Sequence, residues 1–133
     1  MAESRLTFLF DENASVHVAH ALRELGQEAV HPYDLGLAGQ PDEVVLGYAG
    51  ERGWCVVSSD RRVLHRAHER ALLAEHRMGA FFLNDTIRGL CTLSRTIFRH
   101  WPEMKRIAGA QPRPFLYLVQ ETSVTPMRRK RLG

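Results

Sequence analysis

Two short apolar runs that end abruptly in acid constrain this chain more than anything else in it. Residues 5–10 are mostly apolar and lead straight into Asp11-Glu12-Asn13, and residues 54–58 repeat the pattern shortly before Asp60. A brief apolar run without polar alternation suits a strand buried on both faces, and such strands belong to parallel sheets covered by helices. The intervening sequence supplies the helices. Residues 15–25 put Val18, Ala21, Leu22 and Leu25 on one helical face, with Gly26 where a left-handed cap belongs. A short apolar stretch at 29–31 and a Pro/Gly-rich loop at 32–39 precede a second helix, which opens at Pro41 and closes near Gly53. A long polar helix over 61–76 leads to a strand at 80–83. Helical sequence over 87–107, interrupted near Pro102, then leads to a last strand at 115–119. Strands alternating with helices predict a three-layer α/β/α domain around a mainly parallel sheet of about five strands. The expected division is a domain over 1–121 and a basic C-terminal tail over 122–133.

At 133 residues the chain can bury a core without disulfides or a structural metal. Cys55 in an apolar run and Cys91 in a helix read as two buried thiols of a reducing compartment, so a cytoplasmic location is expected. The N-terminal sequence lacks the pattern of a secretion signal, and no apolar run is long enough to span a bilayer. The formal charge of +3 is local, because Arg128, Arg129, Lys130 and Arg131 lie together at the end and the remainder is close to neutral. Any argument about nucleic acid must therefore rest on where the arginines sit.

In open parallel sheets ligands bind at the carboxyl ends of strands, beside the point where strand order reverses. If the first and third strands are neighbours, Asp11 and Asp60 converge on one crevice. Asp42 and Glu43 open the second helix, whose N-terminus should point to the same edge. Adjacent helical residues project about 100° apart, so only one of the two should face the site, and Asp42 is favoured. Oxygen ligands of this kind suit Mg²⁺ or Mn²⁺. Such an ion can activate a bound water and stabilise charge on a scissile phosphate. Each acid also has a structural reading. Asp11 or Asn13 can cap the following helix, and Asp42 and Glu43 can simply favour its macrodipole.

Three segments carry a family resemblance. They are Phe8-Leu9-Phe10-Asp11-Glu12-Asn13, the run from Asp34-Leu35-Gly36 through Gln40-Pro41-Asp42-Glu43-Val44, and Val56-Val57-Ser58-Ser59-Asp60-Arg61-Arg62. Their order and spacing resemble the signatures of PIN-like domains of the VapC-type toxin group, and residues 78–83 resemble the fourth strand of that group. The resemblance implies a Mg²⁺-dependent endoribonuclease, the toxin of a type II toxin–antitoxin pair, held inactive by a small cognate antitoxin and often a homodimer. It carries Asp11, Asp42 and Asp60 over as catalytic metal ligands and Ser58 as a supporting hydroxyl, with Asn13 beside them. Ser59 departs from the basic residue often found next. A fourth acid falls on Asp85, although Asn84 and Thr86 share its turn and Asp85 can also cap the next helix.

Arg62, Arg66 and Arg70 recur every four residues, with Arg77 seven further on, and form a candidate RNA-backbone track, while Arg61, next to Asp60, either joins that track or holds the carboxylate in position. The alternative is a solvated face paired with Glu69 and Glu75. The pairs His17/His20 and His65/His68 lack the arrangement of a zinc site and read as solvent-facing. Ile97, Phe98 and Trp101 form a candidate dimer face that can equally pack on the sheet. Two rivals differ in kind. One is a PIN-like module without catalysis that only binds or regulates. The other is a phospho-accepting receiver domain, which would need a lysine after the last strand where this chain has Gln120-Glu121-Thr122.

Overall fold

Strand β1, Phe8–Phe10, is wholly buried, and its three side chains divide between two cores. Phe8 and Phe10 face one layer of helices and Leu9 the other, as the two-residue period of a strand requires. The same division holds in β3, Cys55–Ser58, where Cys55 and Val57 oppose Val56. It holds again in β4, Gly79–Leu83, where Phe81 and Leu83 oppose Ala80 and Phe82. The computed structural model describes residues 6–11, 14–59 and 67–127, with the backbone alone for 67–69. Its sheet has six strands in the order β2-β1-β3-β4-β5-β6. β2 is Ala29–Val30, β5 is Phe115–Val119, and β6, Val124–Pro126, is antiparallel to β5 while all the other pairs are parallel.

Helix α1, Val16–Glu24, starts where the Ser15 hydroxyl accepts from the His17 N–H (3.1 Å), and it is followed by Gly26 at φ +83°. It shares its layer with α4, Leu90–Ala110. Val18, Ala19 and Leu22 of the first helix and Ile97, Trp101, Met104 and Ile107 of the last cover Phe8, Phe10, Val57 and Phe81. The opposite layer holds α2, Asp42–Glu51, and α3, Ala67–Glu75. Val45, Leu46, Ala49 and Leu73 there cover Leu9, Val56, Ala80 and Phe82. The expected three-layer α/β/α fold is therefore present. Among the described residues no helix is long and apolar enough to cross a membrane.

Several sequence expectations need correction. The sheet has a sixth strand, in a segment read as tail. The helix expected to break near Pro102 is continuous across it. Thr96, Ile97, His100 and Trp101 are buried before the proline, and Met104, Ile107 and Ala108 after it, so one core holds both halves. Burial contributes about 1.5–3 kcal/mol per large apolar side chain, against about 3 kcal/mol for an internal proline. The ring itself is exposed, which leaves water free to take the Phe98 carbonyl that lost its donor. Ile97 and Trp101 belong to the core, with the Trp101 ring 4.5 Å from that of Phe8, and only Phe98 of the candidate dimer face is exposed. Cys91 is exposed rather than buried. Cys55 is buried as expected, and burial pushes its thiol up to about 11 despite the Arg113 guanidinium 3.3 Å from Sγ.

Pro102→Ala restores a helical N–H on an exposed position and should raise stability by about 1–3 kcal/mol in urea unfolding. A loss of stability would show that the core requires the local bend.

Candidate active site

The pairing of β1 with β3 places the first acid. Phe10 is opposite Val57, so the next residues, Asp11 and Ser58, come side by side at the carboxyl edge, where Ser58 is the last residue of β3. The Asp11 N–H extends the ladder by donating to the Val57 carbonyl (2.9 Å). Its carboxylate is held at both oxygens. The Ala14 N–H donates to Oδ1 (2.9 Å) and the Ser58 hydroxyl to Oδ2. Asp11 thus organises the turn before α1, but the helix itself is capped by Ser15 and not by Asp11, and the Asp11 side chain also faces a cavity.

That cavity lies on the α2/α3 side of the sheet, as the pleat requires. Asp11 follows Leu9 by two positions and Ser58 follows Val56 by two, and all four line it. Leu46 and Leu73 line it from α2 and α3, and Asp42 adds a second carboxylate from the first turn of α2. Its volume is about 30 Å³, enough for an ordered water where polar groups meet it. Asp42 and Glu43 are both exposed, but Asp42 alone of the two lines the cavity. The α2 N-cap is Pro41, which makes no side-chain capping bond, so the helix start is left open to the site edge.

The other expected site residues fall in three groups. Asp60, Asn13, Arg61, Arg62 and Arg66 lie outside the described residues. Arg70 is described, on α3 one turn before Leu73. Asp85 is exposed in the turn after β4, where its carbonyl accepts from Arg88 Nε (3.2 Å). Two positions after Phe82 the site-facing pleat reaches Asn84 rather than Asp85. The Asn84 side chain accepts from the Thr86 N–H (2.9 Å), and the N-cap of α4 is Gly89, so Asp85 does not cap that helix. Among the described residues no three His, Cys, Asp or Glu side chains gather as a group able to hold a metal. Asp11, Asp42 and Ser58 are all hard oxygen donors, which fits Mg²⁺ or Mn²⁺ with further oxygens completing the shell.

Sequence reasoning missed what anchors the loop that leads to Asp42. His20 on α1 bonds Asp34 Oδ1 (2.7 Å), Arg23 lies 3.4 Å from Oδ2, and the His31 N–H donates to Oδ2 (3.0 Å). Asp34 sits in the 3₁₀ turn Pro32–Leu35, which Gly36 closes at φ +71°. Burial works to raise the Asp34 pKa, but the His20 hydrogen bond, the His31 N–H and the charges of His20 and Arg23 bring it below the ordinary carboxylate value. These partners are 14 and 11 residues away or in the backbone, so no local spacing announces them.

The chain belongs to the PIN-like domain family, because a family model described as a PIN like domain matches residues 6–85, more than half its length. The match spans β1 through the turn after β4 and contains every residue of the cavity. Comparison with curated proteins gives no match, and neither does comparison with solved structures.

Two outcomes are expected. Ser58→Ala removes a buried donor to Asp11 and should lower stability by about 1–2 kcal/mol, read by urea unfolding. Unchanged stability would count against the bond. For Asp34 the folded pKa is below the unfolded one. The stability it confers is therefore complete above the unfolded pKa and is lost as pH falls through the lowered folded value. His20→Ala should move the Asp34 titration upward, and an unmoved titration would show that Arg23 and His31 suffice.

Proposed function

We propose that this chain is a metal-dependent endoribonuclease, the toxin of a type II toxin–antitoxin pair, working in the cytoplasm. The observation that carries the reading is the meeting of Asp11, from the sheet, with Asp42, from a helix start, at one cavity beside the β1/β3 switch point. Membership of the PIN-like family and the resemblance of three motifs to VapC-type toxins support the nuclease class and the toxin role. Free cysteines, one exposed, accord with a reducing compartment.

In this reading Asp11, Asp42 and Asp60 are the catalytic carboxylates and metal ligands. Glu43 and Asp85 are further candidate ligands, and neither lines the cavity. A bound Mg²⁺ or Mn²⁺ would supply an activated water and a counter-charge for the scissile phosphate. The chain's own work is positional. Ser58 and the Ala14 N–H fix the Asp11 carboxylate as an acceptor at the edge of the cavity. The His20–Asp34–Arg23 anchor holds the turn from which the chain runs to Asp42. Leu9, Leu46, Val56 and Leu73 exclude bulk water beneath the acids, which strengthens their field. An antitoxin would act by covering this acidic edge, and the active form would be a homodimer.

A second reading keeps the fold and drops the catalysis, leaving a binding or regulatory module. It is favoured by one observation, that Asp85, the candidate fourth acid, is exposed in the turn after β4 and does not line the cavity.

Digestion of single-stranded RNA separates the two. Wild type should cleave with Mg²⁺ and stop with chelator, and Asp11→Asn should lose at least about 100-fold, the scale of one lost transition-state contact. Cleavage that survives Asp11→Asn would exclude this mechanism. Expression of the chain alone should arrest growth, and Asp60→Ala should relieve the arrest. Arrest unaffected by that change would count against a nuclease toxin.

A further inference from the structure

Arg70 occupies an unusual position for an arginine. Its Nε is shielded from solvent and has no hydrogen-bond partner among the described residues. Several other arginines are satisfied by the protein. Arg23 pairs with Asp34 and Arg106 with Glu103, while Arg52, Arg88 and Arg113 donate to the carbonyls of Tyr48, Asp85 and Gly53. A desolvated donor left unpaired works against folding, and one that persists calls for a ligand or a function.

Its place in the fold says which. Leu73, three residues on, lines the cavity that Asp11 and Asp42 share. Positions three apart share a helical face and differ by about 4.5 Å along the axis. The start of α3 lies toward the carboxyl edge of the sheet, since the helix returns the chain from β3 to the parallel β4. Arg70 is therefore one turn nearer that edge than Leu73, and side chains on a helix lean toward its N-terminus. Resting on the nuclease reading, we propose that Arg70 binds a backbone phosphate of the RNA next to the scissile one. A turn of the side chain toward the edge would bring out its Nε and one Nη, the planar fork that fits two phosphate oxygens. The carboxylates of an acidic site repel a polyanion, and a guanidinium reaching the same edge of the sheet would offset that repulsion for one phosphate. The unpaired Nε is then the cost carried by the free protein and relieved by substrate.

The test uses the full chain and a short 2′-O-methyl oligoribonucleotide, which binds without being cut. Affinity is measured against salt by fluorescence anisotropy, with thermal unfolding recorded in parallel. Arg70→Met should weaken binding about tenfold and reduce the slope of log affinity against log salt by about 0.7, the value for one phosphate contact on a single strand. Its melting temperature should equal or exceed that of wild type, and inorganic phosphate should stabilise wild type but not the variant. Arg99→Met removes the same charge from exposed α4 on the opposite layer and should leave the slope unchanged. If wild type binds RNA and Arg70→Met matches it in affinity and slope, the assignment of Arg70 fails and the nuclease reading stands. A marked fall in melting temperature on Arg70→Met would mean that the guanidinium is a structural partner, which also overturns the proposal. If wild type binds no RNA, both readings fall.

Discussion

The site depends on the side-by-side pairing of β1 and β3. With Phe10 opposite Val57, two strands far apart in sequence release Asp11 and Ser58 at the same edge, and the Ser58 hydroxyl reaches the Asp11 carboxylate. Had the register slipped by one residue, Phe8 and Phe10 would exchange layers with Leu9, and the side-chain volumes that fill the two cores would no longer match. The packing that fixes the register is thus also what places the acid. Each of the three central strands is buried on both sides, so side-chain size rather than polarity selects the register.

The second carboxylate arrives by a different route. Asp42 stands on a helix whose start is set by Pro41 and by a turn tied to α1 through Asp34. One wall of the cavity is therefore as rigid as the sheet, and the other depends on polar contacts at the surface. That asymmetry suits a site in which one carboxylate must approach another that repels it. The apolar floor of Leu9, Leu46, Val56 and Leu73 holds α2 and α3 against the strands whatever the charge state above it.

Much of this was legible because the strongest forces are local in sequence. The unbroken apolar runs at β1, β3 and β4 announced two-sided burial. Gly26 and Gly53, both at positive φ, marked the ends of α1 and α2. Helical geometry allowed only one of Asp42 and Glu43 to face the cavity, and the family resemblance favoured Asp42. What was not legible depended on tertiary context. β6 is only three residues long and contains Pro126, which an edge strand tolerates and a periodicity argument rejects. Pro102 reads as a helix stop until the buried side chains on both sides of it are known. The anchor at Asp34 joins residues 14 apart, and a pairing of that kind leaves no periodic trace. At the end of β4 the motif pointed to the acid, Asp85, while the pleat points to its neighbour Asn84.

The central claim is that Asp11 and Asp42 share one hard cation. A crystal of the wild-type protein grown with Mn²⁺ and measured at the manganese absorption edge tests it most directly. The account predicts one strong anomalous peak at the carboxyl edge between β1 and β3, with oxygens of Asp11, Asp42 and Asp60 about 2.0–2.3 Å away. The account is contradicted if the peak is absent, or lies elsewhere, in a crystal where the Asp11 and Asp42 oxygens stand too far apart to ligate a single ion.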